Sequence, residues 1–342
     1  MYPLDRGLWG ATTRITQLRD ALARRVELDV ISGTRSRRAS VMARYVAAGR
    51  LRGLAGIYVE NATTLPGPGD LAFLAIARAR RVPILTYVRD AQQLFAEYYA
   101  ATSLKRRASR ALFLPATRAL MRLSTAVAFP SRGLAAVVLG DERRAATARL
   151  LPPGARLAEA PPLNPRARAL LFVGGVRYPA HGGSLLIEAM ELARSRTPGL
   201  ELICVSRPGE EPPGPLPAWL RLVRAEGKQI DALLPEVLAS VTPRRKTPYN
   251  DLAVPIKVFE YLGYARPLIV TDTTETATIV RAAACGIVVP DTPDGLAGGI
   301  TAVAQASPEQ LAGWSEAARR AAEANSWDSR AAEILTILGV AP

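Results

Sequence analysis

Between residues 169 and 290 the sequence repeats one pattern: a short apolar run, then a stretch of helical period. The runs are ALLFVGG (169–175), ELICVS (201–206), RLVRA (221–225), residues 238–242, PLIVTD (267–272) and GIVVP (286–290). Between them lie SLLIEAMELARSR (184–196), a short helical pattern near 229–235, PIKVFEYLG (255–263) and another around 275–283. Strands that are apolar throughout must be covered on both faces, and strands joined by helices run parallel. The pattern predicts a doubly wound α/β domain. SPEQ (307–310), with Pro at the first helical position, opens a further helix.

The first half alternates as well. A helix over 13–25 leads to VELDVIS, expected as a strand, then GIYVE (56–60), a helix over 70–81 and VPILTYV (82–88). Helical stretches at 91–123, the strand TAVAFP (125–130) and a helix from Ser131 complete it. LLPPGARLAEAPPLNPRARA (150–169) is Pro-rich and aperiodic, as an interdomain linker is. The expected class is α/β: two doubly wound Rossmann-like domains facing a cleft. The expected bounds are 1–150 for the first domain, 151–168 for the linker, 169–325 for the second, and a C-terminal helix at 326–342 packing back on the first. Such domains open with a strand, yet only MYPLD precedes GLWG and the first helix.

Charge raises a different class. The net charge is +14, which invites a polyanion partner, but forty of the forty-four basic residues are arginines in an Ala- and Pro-rich chain. No zinc-finger spacing, aromatic RNA-binding motif or basic tail accompanies the charge, so nucleic acid is not the expected partner. LAFLAIARARRVPILTYV is broken by Arg78, Arg80 and Arg81, so no transmembrane helix is expected. The N-terminus lacks a signal-peptide layout. Cys204 and Cys285 sit in apolar runs and read as buried residues of a cytoplasmic chain.

Ligands of parallel sheets bind where strands run into helices, and three such loops carry unusual residues. GLWGATTR (7–14) is a Gly-bracketed turn whose Gly10 and Arg14 suit an anion; a plain tight turn fits it equally. VGGVRYPAHGG (173–183) carries Gly174, Gly175, Arg177 and the chain's single histidine, His181. With no second histidine or paired cysteine beside it, His181 is not read as a metal ligand. In the third loop Pro255 opens a helix whose free amides flank Lys257, one of only four lysines. Lys257 suits a phosphate, and Glu260, one turn on, can accept two hydrogen bonds from a diol such as a ribose. The alternative is a local ion pair worth ~0.3 kcal/mol.

Taken in order, VGG…HGG…LLIEAM, then PYNDLAVPIKVFEYLGYARPLIVTD and GIVVP, resemble the C-terminal domain of GT-B retaining glycosyltransferases of family 4. The match spans 173–290, and P-x-K-x-x-E-Y-x-x-x-x-x-P is its most specific block. The first half is similar more loosely, through its glycine turn, TYVRDAQQLF and AVAFPS. The resemblance implies a retaining hexosyltransferase-type enzyme that uses a nucleoside diphosphate sugar as substrate, with no metal and no other cofactor. It implies that Glu260 binds the ribose, that Lys257, Arg177 and His181 hold the diphosphate, and that Asn250 and Asp251 lie near the donor sugar. Gly175 and His181 stand where the family often has Arg and Lys. Leu252 stands eight positions before Glu260, where the family has its paired glutamate, with Asp251 the nearest acid. Arg89-Asp90 replaces a His-Asp; an arginine holds an anion but is no base at neutral pH. Arg89, Asp90 and Asp251 are the expected catalytic residues.

The expected acceptor is a glycan, a lipid-linked or a small molecule. SLKRRASRALFLPATRALMRL (103–123) is basic on an apolar helical pattern. Either it lies on an anionic membrane, at the inner face, or it is a surface helix whose arginines snorkel, broken near Pro115. Two other function classes stay open: a non-catalytic sugar-nucleotide-binding relative, and a nucleic-acid-binding protein.

Overall fold

The computed structural model of the chain describes residues 9–61, 65–159, 161–177, 181–211 and 214–341. The MYPLD opening and Gly7 lie outside them. The chain divides into two compact units, Met1–Pro153 with Trp327–Pro342, and Gly154–Ser326.

The first unit holds four parallel strands in the order β1 (Ile57–Asn61), β2 (Ile84–Val88), β3 (Ala126–Phe129) and β4 (Arg149–Leu150). Its helices are α1 (Trp9–Ala23), α2 (Arg35–Ala47), α3 (Pro68–Ala79), α4 (Leu104–Leu123), α5 (Arg132–Leu139) and α6 (Glu142–Ala146). All five residues of β2 are buried, as a central strand covered on both faces must be. Leu85 and Tyr87 pack with Leu18 and Leu22 of α1, while Ile84 packs with Phe73 and Leu74 of α3 and Leu120 of α4.

Three expectations need correction here. Among the described residues VELDVIS forms no strand of the sheet: only its last residue, Ser32, enters a β-bridge, and a cavity of about 590 Å³, lined by Val26, Leu28, Val30, Ile57 and Tyr58, lies beside it. Residues 91–123 are not helical throughout; a single 3₁₀ turn at Gln92–Leu94 precedes α4. And α4 runs through Pro115 without breaking.

The second unit is a six-stranded parallel sheet. Its strands are β5 (Ala169–Val173), β6 (Glu201–Val205), β7 (Leu220–Val223), β8 (Val237–Thr242), β9 (Leu268–Thr271) and β10 (Gly286–Val289). The order is β10-β9-β8-β5-β6-β7. The chain lays β6 and β7 on one side of β5, then crosses to lay β8, β9 and β10 on the other. The helices are α7 (Gly183–Arg196), α8 (Pro248–Leu252), α9 (Ile256–Gly263), α10 (Thr274–Ala283), α11 (Pro293–Ala304) and α12 (Pro308–Ala324). Ser307 caps α12 by accepting from the Gln310 amide at 3.2 Å. A last helix, α13 (Trp327–Leu338), belongs to the first unit, where Trp327, Ile334 and Leu335 pack with α1.

The four inner strands bury both faces, and the edge strands β7 and β10 are half-buried. Leu170, Phe172, Leu202 and Cys204 pack with Leu185 and Leu186 of α7, and with Leu296 and Ile300 of α11. Leu171, Ile203, Val205, Leu268 and Val270 pack with Val258, Phe259 and Leu262 of α9 and Ala318 of α12. Both cysteines are buried and unbridged.

Between α9 and β9 sits a buried arginine with no carboxylate beside it among the described residues. Arg266 donates to the carbonyl oxygens of Val237, Tyr264, Ala265, Pro161 and Leu234, at 2.8–3.3 Å. Five backbone dipoles stand in for a counter-ion and tie β8, α9 and the 154–168 segment together. Arg266→Leu would strand those carbonyls in an apolar site and is expected to cost at least about 3 kcal/mol of stability. Urea unfolding checks it, and a loss near zero would contradict the assignment.

Candidate functional site

The order reverses between β5 and β8, so connections leave their C-terminal ends in opposite directions and open a crevice. The loop after β5 and the loop after β8 meet there. Gly182, the N-cap of α7, has φ +75°, and a Cβ on it would lie 1.5 Å from the Pro243 carbonyl oxygen. A Cβ on Gly183 would lie 2.5 Å from Val176 Cα. Only glycines allow this approach.

The approach places His181 and Lys257 around one point. A Cβ on Gly174, whose φ is +150°, would sit 2.8 Å from Lys257 Nζ and 3.8 Å from His181 Nδ1. Lys257 lies in the first turn of α9, its ammonium 4.9 Å from the centre of the Phe172 ring. His181 hydrogen-bonds the backbone of Gly175. The structure thus brings Gly174, Gly175, His181 and Lys257 together, with Glu260 one turn along α9.

A further cation joins them that sequence reasoning missed. Arg244, at the end of β8, is only 8% exposed. Its Nη2 donates to Asn250 Oδ1, and its Nε is buried without a partner among the described residues. Burial, then the charge of Arg244, pushes Lys257 down to about 8. Burial, Lys257 and Arg244 push His181 down to about 4, so its imidazole is neutral at physiological pH. Burial raises the Glu260 carboxyl, while Lys257 and then Arg156 oppose the shift. Neither α7 nor α9 carries an acid in its first turn. Two helix N-termini, each with a partial positive charge, therefore open beside two cations. Such a pocket is electrostatically incomplete and can hold a multiply charged anion.

The other predicted residues are placed differently. Asn250 is fully buried in α8, where its Oδ1 accepts from Arg244 and its Nδ2 donates to the Arg245 carbonyl at 2.7 Å. Asp251 Oδ1 accepts from the Thr274 amide at 2.9 Å and from its hydroxyl at 3.1 Å, which caps α10. Arg177 is exposed and donates to the Gly209 carbonyl at 3.3 Å.

In the first unit, Gly10 is the second residue of α1. Arg14 is 1% exposed and lies inside the unit, with Nε 3.0 Å from Glu60 Oε1 and Nη2 3.2 Å from the Tyr58 hydroxyl. Its guanidinium stacks 3.8 Å from the Tyr87 ring centre. It is a core ion pair here, not a surface anion contact. Arg89 and Asp90 follow β2 and are half-buried. Asp90 accepts from the Ala91 and Gln92 amides at 2.7 and 3.1 Å and from the Gln92 side chain at 2.9 Å.

The second unit is thus an α/β unit with a switch-point crevice lined by cations and helix N-termini. Residues 167–306, which contain that crevice, match the family described as Glycosyl transferases group 1. No curated protein matches the chain. Among solved structures, HepE of Anabaena, in complex with UDP and glucose, is 16% identical with TM-score 0.64, over 99% of this chain and 98% of that one. Sucrose-phosphate synthase of Thermosynechococcus elongatus is 17% identical with TM-score 0.60, over 96% of this chain and 92% of that one. A glycosyltransferase of Rickettsia africae is 12% identical with TM-score 0.63, over 98% and 96%. These likenesses give the fold: α/β units of the GT-B class.

Lys257 titrates near 8 in the fold against 10.5 for an ordinary lysine. Between those values the unfolded chain binds more protons, so the burden on the fold grows as pH falls from 10.5 to 8 and is complete below 8. Lys257→Met is therefore expected to raise the thermal midpoint of the ligand-free protein at pH 7 by a few °C, on the order of 2–4 °C for a chain of this size. The gain should shrink between pH 8 and 10.5. A variant less stable than the parent at pH 7 would overturn this account.

Proposed function

We propose that the chain is a glycosyltransferase that binds a nucleoside diphosphate sugar at the β5/β8 crevice. The observation that carries the reading is the surplus of positive charge there, where half-buried Lys257, buried Arg244 and two helix N-termini converge with no acid in either first turn. A diphosphate supplies the missing negative charge. In this reading Lys257 and the Arg244 Nε contact the phosphates, neutral His181 donates one hydrogen bond, and the Gly174 and Gly175 backbone lies against them. Glu260 takes the ribose hydroxyls: it is one turn from Lys257, and among the described residues its carboxylate accepts no hydrogen bond.

Transfer breaks the bond between the anomeric carbon and the diphosphate oxygen. The electron pair stays on the diphosphate, where the cations stabilise it, and an acceptor hydroxyl forms the new bond and loses its proton. The resemblance to family 4 supports retention of configuration and a reaction without a resident metal. Arg89 stands in the first unit as a candidate partner of the acceptor. A binding protein without transfer is a second reading, favoured by the backbone and hydroxyl hydrogen bonds that engage Asp90 and Asp251.

Titration of UDP-, GDP-, ADP- and dTDP-sugars into the full chain separates these outcomes. One nucleotide is expected to bind, and Lys257→Ala or Arg244→Ala should each weaken it by about 10- to 100-fold, the worth of one charge-assisted contact. Glu260→Ala should weaken the nucleoside diphosphate but not inorganic pyrophosphate. Binding without transfer to, or hydrolysis by, any acceptor in a screen would leave the binding-protein reading. Binding of no nucleotide would sink both.

A further inference from the structure

Helix α4 is built in two halves. The C-terminal half is anchored, with Phe113, Thr117 and Leu120 buried against the first unit. The N-terminal half, residues 104–112, projects: every residue in it except Ser109 is exposed. At 100° per residue, Leu104, Ala108, Ala111 and Leu112 fall within about 100° of arc on the side opposite Phe113. Arg106, on the Phe113 side, stacks on Tyr99 at 4.5 Å. So the helix turns its apolar stripe outward, the reverse of an ordinary surface helix.

The exposure is large. Leu104 is 83% exposed and Leu112 53%, while no other large apolar side chain among the described residues exceeds 42%. Lys105 and Arg107 flank the stripe on its two sides, with Arg110 behind, and α4 contains six basic residues and no acid. An apolar stripe edged by cations matches a boundary that is hydrocarbon below and anionic at its surface. A nucleic acid would match the cations but leave the leucines in water.

We infer that residues 104–112 dock on an anionic phospholipid bilayer. Leu104 and Leu112 enter the headgroup–acyl boundary, and Lys105, Arg107 and Arg110 meet lipid phosphates. The surface lies in the first unit, so the inference stands or falls separately from the nucleotide site. It would set this unit against a membrane, where an acceptor carried by a lipid is presented.

The test is co-sedimentation of the full chain with vesicles of phosphatidylcholine alone and of phosphatidylcholine with phosphatidylglycerol. The parent is expected to pellet with the anionic vesicles and to stay in solution with the neutral ones. A chain of net charge +14 could adsorb without any specific surface, so the deciding variant keeps the charge. Leu104→Ser/Leu112→Ser should lower the bound fraction by about tenfold or more, the loss of two inserted side chains. Both side chains are exposed, so its thermal midpoint and its nucleotide titration should equal the parent's. Lys105→Glu/Arg110→Glu should abolish binding. A parent that stays in solution, or a double serine variant that pellets as the parent does, overturns the inference. So does a parent that dimerises through this face on a sizing column while the serine variant does not.

Discussion

The contact on which the second unit depends is the approach of the Gly182 backbone to the carbonyl of Pro243. No side chain fits between them, so the loop before α7 and the loop after β8 are held at one place. His181, Arg244 and, through α9, Lys257 follow from that closeness. Glycine here is less a flexible element than a distance constraint. It lets two connections that leave the sheet in opposite directions press together at their origin.

The constraint has an electrostatic consequence. Half-buried Lys257 occupies a helix N-terminus, where the macrodipole disfavours a cation, beside the buried Arg244. Burial lowers its affinity for a proton further. A fold under selection for stability alone has no use for such an arrangement, whereas a site that must stabilise a departing diphosphate does. The buried charges of the first unit contrast with it. Arg14 has Glu60 and Tyr58, and Arg38 has Asp70 at 2.7 and 3.0 Å. Those pairs hold a carboxylate at ion-pair distance; among the described residues Lys257 and Arg244 have none that close, although Glu260 stands one turn from Lys257.

Much of the fold was legible because buried parallel strands are continuous apolar runs. All six strands of the second unit coincide with such runs. The helices that escaped notice did so for physical reasons. RSRRASVMARYVA hides α2 under four arginines, one of which, Arg38, is buried by its pair with Asp70. PDGLAGGITAVA carries three glycines that argue against a helix, yet α11 forms, capped by Thr292 and opened by Pro293, and Gly299 lets it lie close on β10, where a Cβ would be 2.7 Å from Val289. VELDVIS has the strand pattern, yet among the described residues only Ser32 enters a bridge, and pairing is not written in a single segment. In the site, Lys257, Glu260, His181 and the glycines stood out as rare residues in loops. Arg244 did not, since one arginine among forty carries no local signal; its burial and its Asn250 partner exist only in the fold.

The account's central claim is that the cations at the β5/β8 crevice await a diphosphate. Calorimetric titration of the preferred nucleoside diphosphate near pH 8, in buffers of different ionisation heat, tests it most directly. An anion beside Lys257 restores that residue's affinity for protons, so binding should take up as much as about half a proton near pH 8. The uptake should vanish in Lys257→Met. Binding with no proton uptake in the parent, or with equal uptake in the variant, would place the anion elsewhere and contradict the account.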